Sequence, residues 1–424
     1  MAEKEVIETL GRLYGAANDA CLDNCDLFDA LVKKGVVTRE ELEHREPVGK
    51  SGKLHSVAAR KLRWWQQDLR RLGLLERDPT KRGRWALTGK GKKQFTQTTG
   101  RAVLLGFSTD LGIALWGTCQ EALARLDEPI SLVLTSPPYC LAKERAYGGP
   151  KAQEWVDFIL RCIEPLVKSL KRGGSIVLNI GNDSFISGSP ARSTLTYRLV
   201  LELESKLSLS LVDTMVWWNA SKPPGPIRYA SLERVQLNSA WEPCFWFTND
   251  AHALASDNRR VLMEHSERHL KLIKGGGEMR EASYSDGAHA IRAGRSFSKM
   301  TEGRIPRNVL EFGHACKAQQ AYKRRARALG LPAHGAPFPE RLVEFLIKFM
   351  TEEGDLVVDP FSGSFTVPAV AERLNRRWVG VDTMGEYVRG GAERFTEAPG
   401  FELGPDLVEA MEWRTNPQLP LLLI

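Results

Sequence analysis

Apolar residues follow two different rhythms along the chain. In the first hundred positions they recur every three or four residues, at Val6, Leu10 and Leu13, through DLFDALVKKG with Gly35 as a stop, and at Leu62, Trp65, Leu69 and Leu72. That spacing gives each of several helices one apolar stripe. The stretch SVAARKLRWWQQDLRRLG surrounds its stripe with Arg60, Lys61, Arg63, Arg70 and Arg71, which predicts an amphipathic basic helix. Turn residues at Asp78, Pro79 and Gly83 follow, with Arg84 leading into a short strand at Trp85, Ala86 and Leu87 and a lysine-rich close.

From about residue 111 the rhythm changes to unbroken apolar runs alternating with helical stretches. ISLVLT (130–135) predicts a buried strand that ends in a proline-rich loop, and EWVDFILRCIEPLVKSLKRGGSIVLNIGND predicts a helix, a glycine stop and a second buried strand. LVDTMVWWN and SAWEPCFWFTND add two aromatic strands. Between about 250 and 330 the pattern dissolves into Gly, Ser, Arg and His, then returns. Leu342, Phe345, Leu346, Phe349 and Met350 predict one face of a helix, which Gly354 ends before a strand at 355–359. Helices alternating with buried strands predict an α/β sheet, interrupted by an insert.

Charge sharpens the boundaries. The net charge of +7 is unevenly spread: residues 51–100 hold 13 Lys and Arg against 3 Asp and Glu, and 251–330 hold 16 against 8. The rest is net acidic. Two basic segments on an acidic body fit a polyanionic partner. With 42% hydrophobic and 26% charged residues over 424 positions, wholesale disorder and a single small module are both excluded. No apolar run approaches the ~20 residues that cross a bilayer, so no membrane association is expected and a cytoplasmic location is. The longest such run is the terminal LPLLLI. Seven cysteines argue against a disulfide framework. Cys21 and Cys25 have no second Cys/His pair at zinc-site distance, so no metal is expected and both thiols read as buried on one helix face.

Two short segments carry chemistry. TSPPY places Ser136, Pro137, Pro138 and Tyr139 at the C-terminal end of a buried strand, where α/β proteins hold their ligands. Asp359, Pro360, Phe361, Ser362, Gly363 and Ser364 leave a later strand, and Asp382 closes the strand after that. An acid there can accept hydrogen bonds from a ribose diol, and small loop residues let backbone approach a cofactor.

In this order, the segments resemble the β class of DNA amino-methyltransferases, over about residues 111–395. The resemblance implies a permuted Rossmann-like sheet and S-adenosylmethionine as cofactor, with DPFSGS around its methionine part and Asp382 on its ribose. PFPERLVEFLIK, beginning at Pro337 and Phe338, would complete the pocket, and Thr118 stands near the adenine edge. It also implies that TSPPY is the catalytic loop, with Ser136 and the carbonyl of Pro137 accepting the amino hydrogens of a flipped base and Tyr139 stacking on it. SPPY is associated mainly with cytosine N4 and DPPY with adenine N6, so N4 is expected and N6 is the alternative. Phe365 stands where the family has a small residue, and its ring is expected to crowd the cofactor.

The N-terminal pattern resembles winged-helix domains fused to restriction and modification enzymes. The organisation expected is a winged-helix-like DNA-binding domain (1–96), a catalytic part (111–249), a basic target-recognition insert (250–330), a cofactor-binding part (331–395) and a tail (396–424). Double-stranded DNA is the expected partner, through Arg60, Arg63, Arg70 and Arg84 in the first unit and Arg292 and Arg295 in the insert. A cognate restriction endonuclease would act on the same site. The rival readings are a DNA-binding regulator with a vestigial methyltransferase fold and an enzyme acting on structured RNA. Cys244, among bulky apolar residues, is read as core rather than as a nucleophile for carbon methylation.

Overall fold

A computed structural model describes residues 9–408 except 12, 16, 18–20, 34, 49–52, 72, 79–80, 82, 89–90, 92–102, 140–151, 183, 187, 220–221, 295, 315 and 406. The expectations placed on Val6, Leu72, Pro79, the lysine-rich close at Lys90, Lys92 and Lys93, Arg295 and LPLLLI fall outside these residues.

The first unit contains β1 (Cys21–Asp23), α1 (Asn24–Lys33), α2 (Arg39–Glu43), β2 (Arg45–Val48), β3 (Lys53–Ser56), α3 (Val57–Arg71), β4 (Leu75–Arg77) and β5 (Arg84–Leu87). A capping box at Thr38 and Glu41 starts α2. The strands β1, β5 and β4 form an antiparallel sheet in that order, while β2 and β3 make a separate ladder that the sequence pattern did not announce. The predicted stripe of α3 is buried: Leu62, Trp65 and Leu69 pack with Leu10, Tyr14, Leu27, Leu31 and Trp85. Its opposite face exposes Arg60, Arg63 and Arg70, and Arg84 on β5 is half-buried beside Asp78. The cysteine expectation was wrong: Cys21 lies on β1 and is only half-buried, and Cys25 is exposed on α1.

The rest is built from β6 (Leu104–Ser108), β7 (Gly112–Trp116), α4 (Cys119–Leu123), β8 (Ile130–Thr135), α5 (Trp155–Ser169), β9 (Leu170–Asn179), α6 (Leu195–Leu207), β10 (Ser210–Trp218) and β11 (Trp241–Thr248). It continues with α7 (Glu267–Lys274), β12 (Ala282–Tyr284), β13 (His289–Ile291), β14 (Val309–Glu311), α8 (Lys317–Ala328), α9 (Glu340–Met350), β15 (Leu356–Asp359), α10 (Thr366–Arg373), β16 (Arg377–Asp382), α11 (Gly385–Ala392) and β17 (Glu402–Leu403). Ten strands form one mixed sheet, in the order β14-β10-β11-β9-β8-β15-β16-β7-β6-β17. Its centre, from β9 to β7, is parallel. Helices cover both faces, so β8 and β15 are buried throughout, as their unbroken apolar runs require. Among the described residues no helix is long and apolar enough to cross a membrane.

Several boundaries differ from the pattern. No glycine separates α5 from β9, because the strand begins at Leu170 and Gly173, at φ +74°, lies inside it. The buried face of α9 is Leu342, Val343, Leu346, Ile347 and Met350, leaving Phe345 and Phe349 at its margin. Residues 250–330 are not uniform: β14 pairs with β10 in the main sheet, and α8 packs on α11. Within the expected tail, Glu402 and Leu403 form β17, which joins the sheet beside β6.

Candidate active site

The sheet's order creates the site. After β8 the chain crosses to β9 on one side, and after β15 it crosses to β16 on the other, so the ends of β8 and β15 diverge at a switch point and leave a crevice between them. Although 224 residues apart, the two ends are tied: Thr135 Oγ1 donates to Asp359 Oδ1 at 2.6 Å.

A cavity of about 410 Å³ opens at this point, within the range of small-molecule sites. Ser136, Pro137, Pro138 and Tyr139 line it from one side and Asp359, Pro360, Phe361, Ser362, Gly363 and Ser364 from the other, with Asp382, Phe338 and Thr118 completing the wall. All the residues singled out around the two motifs therefore face one space. Arg60, Arg63, Arg70, Arg84 and Arg292 do not line it.

The loop after β15 is held largely by backbone. Asp382 accepts from Gly363 N on one oxygen and from Met384 N on the other, both at 2.8 Å. Burial pushes its carboxyl up to about 6 against those hydrogen bonds. Asp359 takes the N–H of Phe361 at 3.1 Å, and burial, with Asp382 adding to it, pushes Asp359 up to about 7. Gly363 has φ +50°, and a Cβ there would meet the His334 ring at 3.0 Å, so the position needs glycine twice over.

Phe365 does not crowd the cavity, contrary to expectation. It adopts φ +55° and is fully buried, its ring turned into the core 5.3 Å from Phe107. A Cβ on Gly380 or Gly391 would lie within 2.8 Å of that ring, so these glycines make its room. The signal was in the sequence, in two small residues far from Phe365.

Other residues of the site carry no motif. His334, Thr383 and Tyr387 line the cavity, and the His334 ring meets Tyr387 edge-on at 4.9 Å. The one sequence signal for His334 is its place four residues before Phe338. Gln319, from the supposed insert, donates to Phe338 O at 2.7 Å and to Thr366 Oγ1 at 3.2 Å. Its Oε1 accepts from Arg394, which also donates to Ser364 O at 2.7 Å. Thus α8 braces the loop after β15.

The loop after β8 is held by side chains. Tyr139 Oη lies 2.9 Å from Ser136 Oγ, 3.2 Å from Asn179 Oδ1 and 3.2 Å from Glu242 Oε2. Gly181 lets the Tyr139 ring come close, since a Cβ there would be 2.5 Å from it. Trp155 Nε1 fixes the carbonyl of Pro138 at 2.7 Å. Cys244 is fully buried and its thiol is pushed up to about 12, chiefly by burial, as its surroundings predicted.

The family model described as DNA methylase (N6/N4) matches residues 130–393, which include both motifs and both strand ends. The chain belongs to the N6/N4 DNA methylase family. The methylase is 35% identical to the Type II methyltransferase M.PvuII of Proteus hauseri over 292 residues, covering 69% of this chain and 85% of that one. It is 22% identical to the DNA adenine methyltransferase YhdJ of Escherichia coli (strain K12) over 285 residues, 66% of this chain and 81% of that one. Among solved structures it matches the cytosine-N4-specific PvuII DNA methyltransferase with a TM-score of 0.53 at 30% identity, over 68% of this chain and 87% of that one.

The methylase draws its methyl group from S-adenosylmethionine, and the cavity suits that molecule. Each oxygen of Asp382 keeps a lone pair beyond the one its backbone partner uses, enough to accept two hydroxyls. Phe338, Phe361 and Val367 give apolar wall for a flat ring.

Proposed function

We propose that this methylase modifies the exocyclic N4 of a cytosine flipped out of double-stranded DNA. The observation that carries this reading is that Ser136, after β8, and Asp382, at the end of β16, face the same cavity. Asp382 would hold the ribose, the loop 362–364 the methionine part, Phe338 the pocket wall and Thr118 the adenine edge. The bound cofactor supplies a methyl group on a sulfonium, an electrophile that needs only a placed nucleophile. An exocyclic amino nitrogen is a poor nucleophile because its lone pair is delocalised into the ring. Ser136 Oγ and the carbonyl of Pro137 would accept its hydrogens and localise that pair, while the paired prolines stiffen the loop. A face of Tyr139 would stack on the flipped base and offset part of the unstacking cost. Proximity then does most of the work.

The serine in TSPPY favours cytosine, and the likeness to the cytosine-N4-specific PvuII methyltransferase points the same way. Adenine N6 remains the second reading, favoured by the likeness to an adenine methyltransferase. The order β1-β5-β4 beside α3, with Arg60, Arg63, Arg70 and Arg71 exposed on that helix, supports a winged-helix DNA-binding role for 1–96. Target choice would come from the part of the insert before β14, where Arg292 is exposed. The likeness to a Type II methyltransferase supports pairing with a restriction endonuclease acting on the same site. The test is to incubate the enzyme with unmethylated plasmid DNA and methyl-labelled cofactor, digest to nucleosides and identify the labelled one by mass. Labelled N4-methylcytosine is expected; N6-methyladenine would shift the reading to the alternative, and no labelled nucleoside would refute it.

A further inference from the structure

Tyr139 is more than a surface for a base, because its hydroxyl links the serine of the catalytic loop to a carboxylate two strands away. Glu242 is the second residue of β11, which lies beside β9, and its side chain is only 15% exposed. One oxygen faces Tyr139 at 3.2 Å and the other faces Lys222 Nζ at 3.2 Å.

The proton count fixes a direction. A carboxylate paired with a lysine only accepts, as does Asn179 Oδ1, so neither 3.2 Å contact is a hydrogen bond unless the Tyr139 hydroxyl donates to Glu242 or to Asn179. The charged acceptor makes the stronger bond. Asn179 is already oriented by its own amide, which donates to Pro243 O at 3.3 Å. Burial, followed by the charge of Glu242, pushes the Tyr139 phenol well above its ordinary range, so it keeps its proton. With that proton committed, the phenol oxygen accepts, and Ser136 must donate to it. Ser136 Oγ then turns only lone pairs toward the cavity, the state that an amino group needs from its acceptor.

We propose that Glu242 is the positioning residue of this site: through Tyr139 it holds Ser136 as a pure acceptor and receives the proton that the methylated nitrogen sheds. In this step the N–C bond forms as the S–C bond of the sulfonium breaks, its electron pair remaining on sulfur. One amino proton passes to Ser136 Oγ, the serine proton to Tyr139 Oη, and the phenol proton to Glu242, which ends as a neutral carboxylic acid beside Lys222. The inference rests on the assignment of Ser136 as the acceptor of the target amino group.

The test compares Glu242→Gln, Tyr139→Phe and the double variant in the full-length enzyme, using plasmid DNA and methyl-labelled cofactor in single-turnover assays. Titration of the cofactor product and thermal melting accompany each. Each single change is expected to slow methylation by ~10²-fold, the low end for a positioned proton acceptor, with cofactor affinity and melting nearly unchanged. The double variant should be no slower than the slower single, because the two act as one chain. Wild-type rates in either folded single variant, losses that multiply, or losses confined to cofactor affinity would overturn the proposal. If Glu242→Gln fails to melt cooperatively, Tyr139→Phe, which keeps the ring over Gly181, decides by its rate alone. Ser136→Ala separates the two levels. Full activity in that variant sinks the assignment of the serine itself, whereas a slow Ser136→Ala beside fully active Glu242→Gln and Tyr139→Phe sinks the relay alone.

Discussion

The two strand ends that meet at the cavity are built by different means. After β15 the chain is pinned by main-chain donors, with Gly363 N and Met384 N on Asp382, Phe361 N on Asp359, and the buried Phe365 ring beneath. After β8 the loop is tied through the Tyr139 hydroxyl to Ser136, Asn179 and Glu242, and through Trp155 to Pro138. Backbone donors hold whatever side chain stands at the loop positions, so that side owes its shape to glycines and the buried acids. Side-chain ties fail when one atom is lost. Under the proposed function, substitutions in the loop after β8 should therefore damage turnover selectively, and those in the loop after β15 should damage affinity or stability.

Ser136→Ala gives the largest expected effect. Removing a positioned acceptor lowers turnover by ~10²–10⁴-fold, while cofactor affinity measured by calorimetry stays as in the wild type. Equal losses in both would erase the distinction between the two ends. Phe365→Ala probes the opposite end without touching the cavity: emptying a fully buried aromatic site costs ~3–5 kcal/mol, read as a lower denaturation midpoint. A stable variant with weakened cofactor binding would instead put the ring back in the cofactor's path.

Asp382→Asn comes next. Loss of a charged acceptor should weaken cofactor binding by ~1.5–3 kcal/mol, with turnover at saturating cofactor largely kept. The same residue gives a pH signature. Its carboxyl is pushed up to about 6, so the ionised acceptor is fully present above that value and is lost as pH falls through it. Cofactor affinity should therefore decline below about pH 6 in the wild type, and the asparagine variant should flatten that decline. Unaltered pH dependence in the variant would assign it to Asp359 or to the ligand. The smallest effect is expected far from both ends: replacing Arg60, Arg63 and Arg70 by alanine should flatten the slope of log K for DNA against log salt by ~0.9 for each phosphate no longer neutralised. Target choice would be retained; a changed methylation sequence would make the first unit the reader.

Much of this site was legible. TSPPY and DPFSGS are contiguous, and each follows an unbroken apolar run that forms a strand in the sheet centre, so their side chains had to emerge at the same edge. The stripe of α3 and its exposed arginines were also readable, because helical spacing is local. Gln319 was not, since its segment carries no apolar rhythm and its role exists only through Phe338, Thr366 and Arg394. Glu242 was hidden for a similar reason: along the chain it is one acid in an aromatic strand, with nothing nearby to mark it. Its partner, Tyr139, is 103 residues away.

By itself the sequence determined which residues would stand at strand ends and which faces of helices would be apolar, because both follow from spacing along a few residues of chain. Tertiary structure alone decided where the Phe365 ring would go, that residues 309–328 would side with the sheet, and that a tyrosine would join a serine to a glutamate. Those outcomes depend on space left by Gly380 and Gly391, on the pairing of β14 with β10, and on β9 lying between β8 and β11. A hydrogen bond or a packed ring needs atoms within a few ångströms, and only the folded sheet brings together residues that the chain keeps apart.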